Sequence, residues 1–193
     1  MKFIKFFYIS ILFFSVFISN SFSEVVTKVK VTGSNRISLE SIIVFGGIKM
    51  GDNYESQDIN LLIKKLYETN FFSNIKIKLS EGELIIDVKE NPIVNSIAFD
   101  GEKAKKYIDT LTPLLKLREK TSFVNTYVKS DINIVKEFYR HLGFYFAKIN
   151  LSVEDLSNNR VNLIYRIDKG EKAKIAKIYF LGEKKIKESK LRN

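Results

Sequence analysis

Few side chains in this 193-residue sequence have the types and spacing that catalysis requires. The chain contains a single histidine, His141, and no cysteine. His141 stands near the end of a helix-like segment, where a solvated histidine is the ordinary interpretation. Metal sites are built from several Cys, His, Asp or Glu residues at ligand spacing, and the sequence shows no such cluster. We therefore expect no metal, no cofactor and no enzymatic activity.

The paired glycines and paired acids have structural explanations as well. A phosphate-binding loop requires glycines that open a helix, whereas Gly46 and Gly47 follow one and are expected to end it. Glu154 and Asp155 belong to the segment EDLSNN, which we interpret as a hairpin turn with solvated acids. Neither pair predicts a catalytic site.

Binding through backbone groups is the functional alternative that the sequence supports. Two segments alternate apolar and polar residues, as strands do when one face is buried. A strand at the edge of a sheet has unpaired N–H and C=O groups that can accept another strand. We predict client-binding edges at Ile75, Ile77, Leu79, Ile149, Leu151 and Val153. The alternative is that these strands only close their own cores, with Lys76 and Lys78 guarding the edge.

The elements that would position these strands occur as two similar repeats in the sequence. The segment DINLLIKKLYETNFF begins at Asp58, and DINIVKEFYRHLGFY begins at Asp131. Both have apolar residues at helical spacing, followed by a turn-forming residue and an aromatic pair. We expect the pairs Phe71-Phe72 and Phe144-Tyr145 to anchor the helix end to the sheet, with a binding patch as the alternative.

Each copy predicts the order strand, helix, helix, strand, strand. The first strand runs into a glycine, Gly33 or Gly101, and Ser38 and Ser56 can cap the two helices of the first copy. In the second copy, Pro113 predicts a break within the first helix. Two alternating runs joined by turn residues then indicate a β-hairpin. Since no other layer is available, the two helices must cover one face of a three-stranded sheet.

The predicted fold class is therefore α+β, with tandem modules. We place module 1 at residues 24–90 and module 2 at residues 91–169. A third copy of the first strand, ending at Gly182, begins an incomplete module at residues 170–193. Because a lone strand cannot bury its apolar face, we expect the full protein to continue beyond this chain.

The first 23 residues have the layout of a cleaved secretory signal peptide. Lys2 and Lys5 precede an apolar run at residues 6–18. This run is shorter than the roughly 20 residues that span a bilayer. Small residues then precede a predicted cut between Ser23 and Glu24. An uncleaved membrane anchor is the alternative.

The basic composition does not predict a nucleic-acid partner. The net charge is +10, but much of the excess lies in the signal segment and in residues 171–193, so the modules themselves are nearly balanced. A nucleic-acid-binding domain concentrates its positive charge on a stripe within the fold. Without cysteines the exported modules must be held together by packed cores.

The module order resembles that of polypeptide-transport-associated (POTRA) domains. The first copy carries the likeness in VKVTGSNRI, DINLLIKKLYETNFFSNIKI and VKENPIV, and the second in DINIVKEFYRHLGFYFAKI and YRIDKGEKAKI. The likeness covers nearly all of residues 24–182 and is greatest to the BamA family of Gram-negative bacteria. Asn70 stands where that family usually has the glycine seen at Gly143, and Asn tolerates the left-handed conformation that ends a helix there.

The resemblance implies the periplasmic part of a factor that assembles and inserts outer-membrane proteins. Its implied partners are unfolded outer-membrane β-barrel proteins, accessory assembly lipoproteins, and the outer membrane itself through a C-terminal barrel absent from this chain. Docking domains of a two-partner secretion or autotransporter-assembly pore are the alternative, because no motif is exclusive to one of these groups. A cell-division protein is a weaker alternative, since such proteins carry one module behind an uncleaved anchor.

Overall fold

The computed structural model describes residues 24–177, which divide between Asn91 and Pro92 into two compact units. We call them unit 1 and unit 2. The predicted signal peptide, including Ser23, lies outside the described residues, as does most of the predicted third module. Residues 170–177, where that module is expected to begin, contain no strand.

Unit 1 is a three-stranded sheet with two helices, in the order that the sequence predicts. Its elements are β1 (Glu24–Val25), β2 (Lys28–Thr32), α1 (Leu39–Gly46), β3 (Asn53–Tyr54), α2 (Ser56–Glu68), β4 (Phe72–Ser80) and β5 (Glu83–Glu90). The central strand β5 pairs with β2 in parallel and with β4 antiparallel. Strands β1 and β3 form a separate two-stranded sheet. The sequence pattern does not predict this small sheet, because two-residue strands have no periodicity.

Unit 2 repeats this topology. Its elements are β6 (Ile93–Asp100), α3 (Lys105–Leu111), a 3-10 turn (Thr112–Leu114), α4 (Asn125–His141), β7 (Lys148–Leu156) and β8 (Arg160–Asp168). The central strand β8 pairs with β6 in parallel and with β7 antiparallel. The 3-10 turn follows α3 directly, which confirms the helix break predicted at Pro113.

Each unit has its own hydrophobic core between its helices and one face of its sheet. In unit 1, Ile42 from α1 and Leu66 from α2 are fully buried in one cluster with Ile86 from β5. In unit 2, Tyr139 from α4 and Tyr165 from β8 are fully buried in the corresponding cluster. Burying one such aliphatic side chain stabilises the fold by about 1.5–3 kcal/mol, so these layers fix the strands in register. The predicted α+β class is confirmed.

The helix starts in unit 1 agree with the sequence in one case and differ in the other. Ser38 caps α1 as predicted, and its hydroxyl accepts a hydrogen bond from the Ser41 N–H at 3.2 Å. Helix α2 begins at Ser56, and its N-cap is Glu55 rather than the predicted Ser56. The Asp58 carboxylate accepts a hydrogen bond from the Glu55 N–H at 2.9 Å, so it satisfies a backbone donor at this end.

Asp131, which has the same place in the repeat as Asp58, has a different structural role. Helix α4 begins at Asn125, so Asp131 lies within the helix and is fully buried. Its carboxylate accepts hydrogen bonds from the N–H groups of Lys116 and Leu117, both at 2.9 Å, and from the Tyr165 hydroxyl at 3.3 Å. A buried carboxylate needs such donors to offset its lost hydration.

Two sequence predictions for unit 2 are wrong in detail. Glu154 and Asp155 lie within strand β7, because the turn that closes the hairpin is confined to residues 157–159. The second aromatic pair anchors only through Phe144, which packs 6.3 Å from the Tyr139 ring. Tyr145 is 60% exposed, since β7 begins later after the aromatic pair than β4 does.

Candidate strand-docking edges

Strands β4 and β7 occupy equivalent edge positions in the two sheets. Each is nine residues long and has a single neighbour, β5 or β8, among the described strands. The structure places all six predicted docking residues on these two strands: Ile75, Ile77 and Leu79 on β4, and Ile149, Leu151 and Val153 on β7. That they bind a client strand stays a prediction.

The direction of the backbone groups on β4 follows from a close contact across the sheet. Gly33 lies so near the Val88 carbonyl oxygen that an added Cβ atom would stand 2.0 Å from it. The Val88 carbonyl therefore points toward β2 and away from β4. Ile75 lies opposite Val88, and opposite residues of an antiparallel pair exchange either both hydrogen bonds or neither. The Ile75–Val88 pair therefore exchanges no hydrogen bonds. Because every second residue of a strand directs its backbone groups to the same side, Ile75, Ile77 and Leu79 all direct their N–H and C=O groups toward the open side.

An equivalent contact in unit 2 shows the direction of the backbone groups on β7. A Cβ atom added to Gly101 would stand 2.1 Å from the Ile167 carbonyl oxygen, so that carbonyl points toward β6. Ile149 lies opposite Ile167 and is therefore in a pair that exchanges no hydrogen bonds. Leu151 and Val153 share its alternation. All three direct their backbone donors and acceptors away from β8, toward the open side.

The side chains of most predicted docking residues face their own core. Ile75 is 6% exposed and Ile149 is 4% exposed, whereas Val153 is 40% exposed. The polar residues between them on β4, Lys76 and Lys78, are exposed on the face that the helices do not cover. A strand added to these edges would thus be held chiefly by backbone hydrogen bonds.

The first outward N–H group on β4 already has an acceptor. Ile75 donates its backbone hydrogen bond to the Tyr67 hydroxyl at 3.1 Å. Tyr67 is the penultimate residue of α2, and its side chain is 41% exposed. The hydroxyl therefore reaches from the helix to the open edge of the sheet. Sequence reasoning missed this contact, because a tyrosine near a helix end has many possible orientations.

No corresponding contact closes β7 in the described part of the chain. Arg140 follows the buried Tyr139 just as Tyr67 follows the buried Leu66. Its guanidinium pairs with Glu137 on the same helix, at 3.3 Å, and does not reach the strand. The outward groups of β7 are consequently the more accessible of the two sets.

The opposite edge of unit 2, strand β6, is partly covered by the segment before α4. Val94 donates to the Thr121 carbonyl at 2.9 Å and accepts from the Lys120 N–H at 2.7 Å. Further along the strand, the Ile97 N–H donates to the Glu119 carboxylate at 3.1 Å. These bonds occupy the positions that a docking strand would need, so β7 is the more open edge of this sheet.

A buried carboxylate holds the end of β5 to the loop after β2. Glu90 accepts hydrogen bonds at 2.8 to 3.0 Å from the Ser34 hydroxyl and from the N–H groups of Asn35, Arg36 and Ile37. Burial opposes ionisation of Glu90, but these four hydrogen bonds outweigh it and hold the pKa of its carboxyl below the usual value.

In unit 2 a lysine, Lys169, stands at the position that Glu90 has in unit 1, so the charge at this place is reversed. Lys169 follows Ile167 by two residues, as Glu90 follows Val88, and its Nζ lies 3.1 Å from the Glu102 carboxylate. That carboxylate is 6% exposed and also accepts from the Tyr139 hydroxyl at 2.7 Å.

Burial opposes ionisation of Glu102, as it does for Glu90. The hydrogen bonds from the Ala104 N–H, Tyr139 and Lys169 prevail and lower the pKa of the Glu102 carboxyl. Burial and the bond to Glu102 raise the pKa of the Tyr139 hydroxyl, which therefore stays a donor. Both units thus hold the first strand's loop to the last strand's end.

Within residues 24–177, no group of three or more His, Cys, Asp or Glu side chains could hold a metal ion. The lone His141 lies at the end of α4, as the sequence predicts. Over the same range, no helix has both the length and the apolar character needed to cross a bilayer.

Comparison with known proteins finds a family model that matches the second unit. Residues 92–170 match the family model of POTRA, described as the surface antigen variable number repeat. This part of the chain is therefore similar to POTRA domains. The fold agrees, because the N-terminal domain of Omp85 from Thermosynechococcus elongatus aligns with a TM-score of 0.52 and 11% identity, over 76% of this chain and 63% of that one. Unit 1 has the same sheet topology as unit 2.

Curated relatives extend the similarity beyond that domain. The chain is 27% identical to the outer membrane protein assembly factor BamA of Neisseria meningitidis over 86% of its length. It is 24% identical to BamA of Buchnera aphidicola over 97% of its length. The aligned part is 21% of the first relative and 31% of the second, so this chain spans between a fifth and a third of these proteins.

Proposed function

We propose that this chain is the POTRA region of an outer-membrane protein assembly and insertion factor. In this proposal the region acts in the periplasm, after removal of residues 1–23, and binds unfolded outer-membrane proteins and accessory lipoproteins. The similarity to BamA along most of the chain supports this assignment. The role is one of binding rather than of catalysis.

One observation carries the proposed mechanism. Each unit leaves a nine-residue strand at its edge, with alternate N–H and C=O groups directed outward. An unfolded membrane strand is extended, and its backbone groups need partners once they leave water. Addition to β4 or β7 would satisfy those groups with little dependence on sequence, which suits a factor with many clients.

A titration followed by NMR tests this proposal directly. The chain from Glu24 onward would be labelled with ¹⁵N and titrated with a peptide of about ten residues that alternates apolar and polar residues, as membrane strands do. The amide signals of Ile149, Leu151 and Val153 should shift progressively. The same peptide with its central residue replaced by proline is the matched control, because it cannot form a continuous strand. The proposal fails if the alternating peptide moves no amide on β4 or β7, or if the proline peptide moves the same amides equally.

A further inference from the structure

We propose that Tyr67 is a specificity-determining residue that closes the start of the β4 edge, so that an extended client docks preferentially on β7. This inference rests on the proposed function and deepens it. The partner is the same, an extended strand of alternating apolar and polar residues. The new element is the choice between two edges that the fold otherwise makes equivalent.

The contact stands at the position where docking would begin. Ile75 is the first of the predicted docking residues on β4 and lies just after the register shift between Phe72 and Asn74. Its N–H points to the open side and is bonded to the Tyr67 hydroxyl at 3.1 Å. A client strand at this position must displace the hydroxyl before it can pair with Ile75.

Displacing the Tyr67 hydroxyl from Ile75 costs free energy that docking on β7 does not require. The Tyr67 hydroxyl would lose its bond to Ile75, and the ring, which is 41% exposed, would have to leave the path of the incoming strand. One ordinary hydrogen bond changes an equilibrium by about three- to tenfold. On β7, Arg140 pairs with Glu137 instead, and the hydrogen bonds among residues 24–177 include no acceptor for the outward Ile149 N–H.

The closure also shortens the usable length of β4. With Ile75 occupied, the predicted docking residues that remain on β4 are Ile77 and Leu79, whereas β7 offers Ile149, Leu151 and Val153. A strand that pairs with more backbone groups binds more tightly, because each added pair extends the ladder. The two effects favour the same edge.

The test compares wild type with Tyr67→Phe and Tyr67→Ala in the chain from Glu24 onward. The phenylalanine variant removes only the hydroxyl, and alanine also removes the ring while retaining helix propensity. Hydrogen exchange of the Ile75 amide should become faster in both variants. Titration with the alternating peptide should then show affinity at Ile75, Ile77 and Leu79 rising about fivefold, with affinity at β7 unchanged.

The outcomes separate this inference from the proposed function. If the peptide binds β7 in all three proteins and neither variant gains affinity at β4, Tyr67 does not select the edge and the proposed function stands. Unchanged exchange of the Ile75 amide in both variants also overturns the role of Tyr67. If the peptide binds neither edge in any of the proteins, the proposed function itself fails, and the inference with it.

Discussion

Buried carboxylates at Glu90 and Glu102 make the fold sensitive to acid. Both side chains are less than 10% exposed, and both have a pKa below the usual value, because their hydrogen bonds outweigh the effect of burial. A carboxyl whose pKa is lower in the folded state stabilises the fold above its unfolded pKa, about 4.5. That stability is lost as the pH falls through the folded pKa.

We expect Glu90→Gln to reduce the free energy of unfolding of unit 1 at pH 7 by about 1–2 kcal/mol, since a charged acceptor of several hydrogen bonds becomes a neutral one. The loss should shrink as the pH falls below 4.5 and disappear once the pH is below the lowered pKa of the folded Glu90 carboxyl, where the wild-type side chain is protonated too. Denaturation at several pH values, followed through amide signals of unit 1, measures it. The exposed Glu81→Gln is the control, and an equal loss in both variants would contradict this account of Glu90.

At the scale of elements, two glycines fix how the strands meet. Gly33 and Gly101 follow β2 and β6, have φ values of +79° and +87°, and lie against carbonyl oxygens of the central strands. Only glycine tolerates both the left-handed backbone and the close approach. These contacts orient the central strands, and hence the outward groups on β4 and β7.

Gly33→Ala should therefore destabilise unit 1 by about 2–4 kcal/mol, because the new Cβ atom would meet backbone rather than a movable side chain. Gly51→Ala is a matched control, since Gly51 also has a positive φ, +88°, but has no atom within 4 Å of the added Cβ. It should cost only about 1 kcal/mol. Chemical denaturation with NMR detection measures both, and equal losses would show that the contact with Val88 is unimportant.

The elements also show how far the sequence could predict this fold. Alternation around Ile75 and Ile149, and the two glycines, were enough to predict the order of elements along each repeat and the hairpins, but not the order of strands within each sheet. The shared motif DIN did not predict that Asp58 and Asp131 have different roles. The role of Asp131 depends on the N–H groups of Lys116 and Leu117, which belong to a different segment of the chain. The Tyr67 contact was likewise beyond prediction, since it depends on a rotamer.

At the scale of the whole molecule, two units of one topology make up the described part of a chain that is similar to BamA proteins. Residues 92–170 match the POTRA family model, and the similarity to each of the two BamA proteins covers 86% or more of the chain. Both units are closed by ionic groups in equivalent places, Glu90 in one and the Lys169–Glu102 pair in the other. The two units share one sheet topology but differ in their side chains, so the edges at β4 and β7 differ in accessibility.

The central claim is that a client strand pairs with the outward backbone of β7, and one substitution tests it most directly. Val153→Pro removes an N–H group that points away from β8, so the ladder within the sheet should survive while docking is blocked. Val153→Thr keeps the N–H and is the matched control. We predict that proline lowers the affinity for the alternating peptide at least about tenfold and that threonine changes it less than about twofold. Wild-type affinity in a folded Val153→Pro protein would contradict the claim.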